Sequence, residues 1–145
     1  MFYYPVVVEQ DEETKQFIVE FVDIPGTFSD GDTFDEALLN AADALETAFH
    51  YIMQSRQPIP MASPLNNRPG VAVSVLISGK VALYNAMLAS GTRKADMARK
   101  LNIAPTLVDR LLSLRHKSRI EQIEAALALL DKRLLVDISP SFTRY

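Results

Sequence analysis

The chain has 145 residues and no cysteine. Disulfides, zinc–thiolate centres and cysteine nucleophiles are therefore excluded. It also lacks any run of roughly 18 apolar residues of the kind that crosses a bilayer. Its N-terminus has no basic segment leading into an apolar core, so no secretory signal is expected. A cytoplasmic protein is the expectation from these absences. What is present is ordinary for a folded chain, with a hydrophobic share of 48% and a charged share of 23%. This length suits one domain or two small ones.

Charge is segregated along the chain. From Met1 to Gly79 there are 12 acidic and 3 basic residues, and from Lys80 to Arg133 there are 5 acidic and 11 basic. The basic part would be drawn to nucleic acid phosphates and the acidic part repelled by them. The acidic part is expected to face away from DNA or to meet a basic partner.

Phe2 to Gln10 is rich in β-branched and aromatic residues and predicts a strand. Pro5 has no amide donor, which favours an edge or a bulge. Asp11 to Lys15 makes a hairpin connection. Gln16 to Val22 alternates, with Phe17, Val19 and Phe21 on one face. Asp23-Ile24-Pro25-Gly26 and Ser29-Asp30-Gly31-Asp32 read as turns. Thr33 and Glu36 have capping-box spacing at the start of a helix reaching about Gln54. Its apolar stripe is Ala37, Ala41, Ala44, Leu45, Ala48, Phe49 and Ile52. Residues 57–70 hold four of the eight prolines and predict a stiff, extended segment. Val71 to Ile77 returns to β character and predicts a third strand. The resulting unit leaves one sheet face or an edge open for association.

Lys80 to Ser90 predicts a helix that Gly91 stops. Thr92 to Leu114 then predicts two short helices around a tight turn, with Thr92 capping the first. Met97, Ala98 and Leu101 are the apolar set of the first helix, and Val108, Leu111 and Leu112 that of the second. Asn102 suits the left-handed conformation that ends a helix, and Pro105 suits the first turn of the next. A small Ala98 permits close helix crossing. This is the helix-turn-helix pattern, whose second helix commonly enters the DNA major groove. An ordinary αα-hairpin within a core is the structural alternative. A last amphipathic helix carries Ile120, Ile123, Leu127 and Leu130, and Leu134 to Ile138 predicts a short strand able to pair between subunits.

Two catalytic readings are weak. His50 and Tyr51 on the flank of the first helix are read as packing or surface residues. Asp23, Asp30, Asp32 and Asp35 cluster near turns without a metal-binding spacing. No catalytic residue, metal or cofactor is expected, and the chain is read as no enzyme.

Taken together, the chain resembles the HicB family of type II antitoxins. The resemblance rests on Phe21-Val22-Asp23-Ile24-Pro25-Gly26, on Gly31-Asp32-Thr33, and on the helix with Glu36-Ala37, Asn40-Ala41 and Ala44-Leu45. A proline-rich linker, a third strand and a helix-turn-helix follow in the family's order. Gln16, where the family often has glycine, and Val22, where it often has proline, depart from the pattern. Ala104 lacks the side-chain oxygen that usually caps a recognition helix.

The resemblance implies an α+β protein, with a β-β-α-β partial ribonuclease-H-like domain over residues 1–78 and an all-α helix-turn-helix domain over residues 79–145. It implies neutralisation of a small RNA-cleaving HicA-type toxin by the first domain, through contacts the sequence does not single out. It implies operator binding and autorepression by the second, as a homodimer or higher even oligomer. Two other readings remain open: a ligand-sensing helix-turn-helix regulator without a toxin partner, and a hydrolase using the aspartates and His50. For DNA contact, Pro105 to Ser113 would be the recognition helix, with most of its apolar residues turned inward. Thr106, Asp109, Arg110 and Ser113 would point out, with Arg110 matched to the two acceptors of guanine. Asp109 would accept from cytosine or pair with Arg110. Arg93, Lys94, Arg115, Lys117 and Arg119 would hold phosphates, fixing position without reading sequence.

Overall fold

The structure, a computed structural model, describes residues 2–138. It is an α+β chain, an antiparallel sheet with one helix followed by an all-helical region. Two compact units are formed, one from residues 2–52 and 60–73 and the other from residues 53–59 and 74–137.

In the first unit, β1 (Tyr3–Gln10), β2 (Phe17–Phe21), β3 (Phe28–Gly31) and β4 (Gly70–Ala72) form one sheet in the order β3-β2-β1-β4. All three pairings are antiparallel. The hairpin connection is closed by Asp11, whose Oδ1 accepts the amides of Glu13 at 2.8 Å and Thr14 at 3.1 Å. Pro5 lies in an inner strand rather than at an edge. It sits where β1 hands over between partners: residues 6–10 pair with β2, and residues 3–5 pair with β4. The Pro5 carbonyl still accepts from the Val22 amide at 3.1 Å. The missing donor therefore falls where pairing with β2 ends.

α1 (Phe34–Gln54) covers one face of this sheet. Thr33 Oγ1 accepts the Glu36 amide at 3.1 Å, as a cap should. The Glu36 carboxylate reaches back to the Asp32 amide at 3.1 Å, one residue before the position that the capping-box spacing suggests. Ala37, Ala41, Leu45 and Phe49 are buried, as are Tyr4, Val6, Val19 and Phe21 on the sheet, and Phe49 meets Tyr4 edge-to-face with ring centroids 5.4 Å apart. Leu45 and Phe49 each contribute roughly 1.5–3 kcal/mol by leaving water. Phe17 adds an edge-to-face contact with Phe34.

β3 is a strand where the polar Ser29-Asp30-Gly31-Asp32 stretch predicts a turn. Its Phe-Ser-Asp-Gly sequence is polar and short, as an edge strand often is. Gly31 at its end is required: a Cβ there would lie 2.4 Å from the backbone nitrogen of Ala37.

The proline-rich segment is anchored at several points. Tyr4 donates its hydroxyl to the Pro60 carbonyl at 2.7 Å. Asp23 accepts from the Ser63 amide at 2.8 Å and from Ser63 Oγ at 3.0 Å. Burial, with Asp23 nearby, pushes the Tyr4 hydroxyl up to about 12.

The third predicted strand is cut short. Only Gly70–Ala72 pairs, and α2 (Val75–Ser90) begins inside the β-rich run. Ser74 is the reason, because its Oγ accepts the Ile77 amide at 3.2 Å and caps the helix. Ile77 and Val81 are then buried in helical conformation, so packing overrides their β propensity. α3 (Lys94–Leu101), α4 (Pro105–Leu112) and α5 (Ile120–Ala128) complete the helical unit. Its core is Leu83, Met87, Met97, Ala98, Val108, Leu111, Leu112, Ile123, Ala126 and Leu127. Leu134 packs against this core, and residues 134–138 form no strand. Residues 139–145 of the expected second domain lie outside the described residues.

Gly31→Ala is expected to destabilise the first unit by about 1–3 kcal/mol, because the clash is with backbone that a rotamer change cannot relieve. Chemical denaturation should show it as a lower midpoint, and an unchanged midpoint would refute the close approach.

Candidate nucleic-acid interface

The two-helix element is built as its residues dictate at its turn and differently at its start. Gly91 ends α2 in the left-handed conformation, with φ 67°. Thr92 does not cap α3; its hydroxyl lies 2.7 Å from that of Ser90. Arg93 holds the cap position, and Asp96 accepts its backbone amide at 3.0 Å. Asp96 also accepts from Arg99 at 2.6 Å. Its carboxyl is held below the usual range, chiefly by the Arg93 backbone amide.

Asn102 is left-handed with φ 55°, and Ile103 donates to the Ala98 carbonyl at 3.0 Å, closing the turn. Ala104 precedes α4 in extended conformation with no side-chain cap, and Pro105 begins the helix. Val108, Leu111 and Leu112 are buried as expected. Leu107 remains 38% exposed. It lines a groove of about 360 Å³ with Leu101, Ile103 and Leu111, and with Arg110 and His116 among its polar residues.

Thr106, Asp109, Arg110 and Ser113 are exposed on or at the end of α4. Asp109 pairs with Lys94 at 2.8 Å, rather than with Arg110. Both partners are more than half exposed, so the pair contributes about 0.2–1 kcal/mol and is broken easily. It offsets the one carboxylate of α4 and ties the start of α3 to the outer side of α4. Arg93 lies within 3.4 Å of Asp96 and is otherwise exposed. Arg115, Lys117 and Arg119 are exposed in the segment between α4 and α5. The structure thus joins Lys94 to Asp109, and leaves the three cations after α4 on their own segment.

Lys80 was missed. Read from sequence it is one more surface cation near a helix start, yet it is fully buried. Its Nζ donates to the carbonyls of Arg110 at 2.9 Å and Ser113 at 2.6 Å, and to Ser118 Oγ at 2.9 Å. Ser118 in turn donates to the Arg110 carbonyl at 3.3 Å. The last carbonyls of a helix lack intrahelical donors and carry partial negative charge. The ammonium adds a donor to each of these two carbonyls and fixes the end of α4 against α2. The only sequence cue is a polar Ser118 in a basic run, too common to be diagnostic.

Burial pulls Lys80 down from 10.5 to about 8. The unfolded chain keeps this proton up to about 10.5, and the folded chain only up to about 8. Between those values the unfolded state binds more protons, so stability rises with pH across that window. The slope from this group is at most about 1.4 kcal/mol per pH unit. Lys80→Met should lose that slope, and should cost about 1–3 kcal/mol at pH 7 by stranding buried acceptors. Denaturant unfolding of both proteins from pH 7 to 10.5 tests this; parallel stability curves would contradict it.

A family described as HicB-like antitoxin of bacterial toxin–antitoxin system matches residues 3–82. The chain is 41% identical to "Antitoxin HicB 2" of Photorhabdus laumondii, over 90% of this chain and 92% of that protein. It is 36% identical to "Antitoxin HicB" of Pseudomonas fluorescens, covering 90% and 91%. Against "Antitoxin HicB" of Escherichia coli K12 it is 35% identical, covering 90% and 95%.

Proposed function

Because the chain belongs to the HicB-like antitoxins of bacterial toxin–antitoxin systems, we propose that its two units divide the work of such a protein. The sheet unit neutralises a HicA-type RNA-cleaving toxin. The helical unit, with α3 and α4 as its helix-turn-helix, binds the operator and represses the operon that encodes both proteins. The protein is no enzyme in this reading, and it acts in the cytoplasm; no helix among the described residues is long and apolar enough to cross a membrane.

One observation carries the operator half. Arg110 projects from the exposed side of a helix whose backbone is held at the same residue by a buried lysine. A base-reading guanidinium needs a fixed origin, because bidentate recognition of guanine tolerates little displacement. Thr106 and Ser113 lie on the same helix or at its end and would contact the same groove. Arg93, Arg115, Lys117 and Arg119 would neutralise phosphates, and Lys94 would do so when its pair with Asp109 opens. A single α4 gives little affinity, so the protein acts as a homodimer or higher even oligomer on a two-fold site.

The test has two parts. Co-expression with the product of the neighbouring reading frame should yield a complex, and the freed partner should cleave RNA. In gel-shift titrations on the chain's own upstream DNA, Arg110→Ala should cost about 1–3 kcal/mol for the operator and largely spare unrelated DNA. Equal losses on both DNAs would remove base reading, and a chain that binds its operator but no partner would point to the ligand-sensing regulator.

A further inference from the structure

α1 covers one face of the sheet; on the other, Pro5 and Gly70 are buried where β1 meets β4, and the part that crosses β1, β2 and β3 from Val7 onward is exposed. The strand register fixes what that face displays. Val7 pairs with Glu20, and Glu20 with Phe28. Glu9 pairs with Ile18, and Ile18 with Asp30. Directly paired residues on antiparallel strands share a face. Two rows therefore cross β1, β2 and β3, reading Val-Glu-Phe and Glu-Ile-Asp. Apolar and acidic residues alternate along both directions.

All six are exposed, with Val7 at 44%, Ile18 at 39% and Phe28 at 54%. Three large apolar side chains on one small face are more than scattered surface hydrophobics. Among the described residues, no cation pairs with Glu9, Glu20 or Asp30; the ion pairs all lie in the helical unit. Residues 2–52 and 60–73 together hold 12 acidic residues against Lys15 and Arg68. A second copy of this face would set carboxylate against carboxylate, so self-pairing is disfavoured.

We propose that this outer sheet face is the surface that holds the toxin, through the cations with which the toxin binds RNA. The inference rests on the antitoxin reading above. A protein that cleaves RNA must attract a polyanion, so its substrate face is basic. Glu9 and Asp30 stand two strands apart, about 10 Å, with Ile18 between them. Three carboxylates at such spacings offer separate acceptors to Lys or Arg side chains. Val7, Ile18 and Phe28 take up the apolar stems and any aromatic residues between those cations. The face then occupies the groups the toxin needs for its substrate, and inhibition follows from occupancy without chemistry.

The test compares two triple charge reversals in the full chain, each co-expressed with the neighbouring gene product. Glu9→Lys/Glu20→Lys/Asp30→Lys alters the outer face. Asp35→Lys/Asp43→Lys/Glu46→Lys alters exposed residues of α1, on the covered side, with the same change in net charge. The first should weaken toxin binding by roughly 100-fold or more, and the second by only a few-fold. Equal losses would overturn the face in favour of net charge. Carbodiimide labelling of the wild-type complex serves if a variant fails to fold. Protection of Glu9, Glu20 and Asp30 is expected, and full labelling of all three overturns the proposal. If the wild-type chain captures no partner, the antitoxin reading itself falls; if it does and labelling is unchanged, only the surface assignment falls.

Discussion

Lys80 reaches into the helical core with a charge at its tip, and only a ring of acceptors makes that tolerable. An ammonium without partners in an apolar interior is costly enough to lose its proton or unfold its host. The two carbonyls at the end of α4 and the Ser118 hydroxyl supply the ring. The dependence runs in both directions. α4 has only 8 residues and no side-chain cap at its start, so little within it resists fraying. Its C-terminal carbonyls are held by a residue of α2, so its position is set by the longest helix of its unit.

The sheet unit depends on a different kind of constraint, the close approach of backbones. Gly31 lets the start of α1 sit on β3, and Ala37 and Ala41 are buried on the side of α1 that also buries Leu45 and Phe49. Asp23 belongs to the segment that carries the family resemblance, and its carboxylate has a structural task, pinning the proline-rich segment at Ser63. The turn aspartates are thus engaged in local geometry or solvated. Among the described residues, no group of three or more acidic, histidine or cysteine side chains converges as ligands would.

Where one residue has one local role, the sequence is readable. Asn102 and Gly91 are left-handed, Pro105 opens α4, and Thr33 caps α1, each for reasons of its own backbone or side chain. The face of β2 formed by Phe17, Val19 and Phe21 followed from alternation alone. Readability fails where tertiary contact decides. Ser74 caps a helix inside a β-rich run, and only the packing of Ile77 and Val81 says so. β3 looks like a turn because an edge strand needs few apolar residues. Of the DNA-contact candidates, the exposed side chains of α4 were legible from helical spacing. The Lys94–Asp109 pair and the Lys80 clamp span separate helices, and no local pattern encodes either.

β4 shows what the proline-rich segment contributes to the order in which the sheet assembles. Its three residues pair with Tyr3, Tyr4 and Pro5, from roughly 70 positions away in the sequence. The β1–β2 hairpin closes a connection of a few residues, and the longer closure costs about 2 kcal/mol more in chain entropy. Three pairs alone would make β4 the first seam of the sheet to open. The clasps at Pro60 and Ser63 change that arithmetic. Once they form, only the short path from Ser63 to Gly70 stays loose, and the prolines beside it have little freedom to give up. The sheet therefore acquires its fourth strand as a local event, and amide exchange at Val71 reports on the Asp23 clasp rather than on the sheet itself.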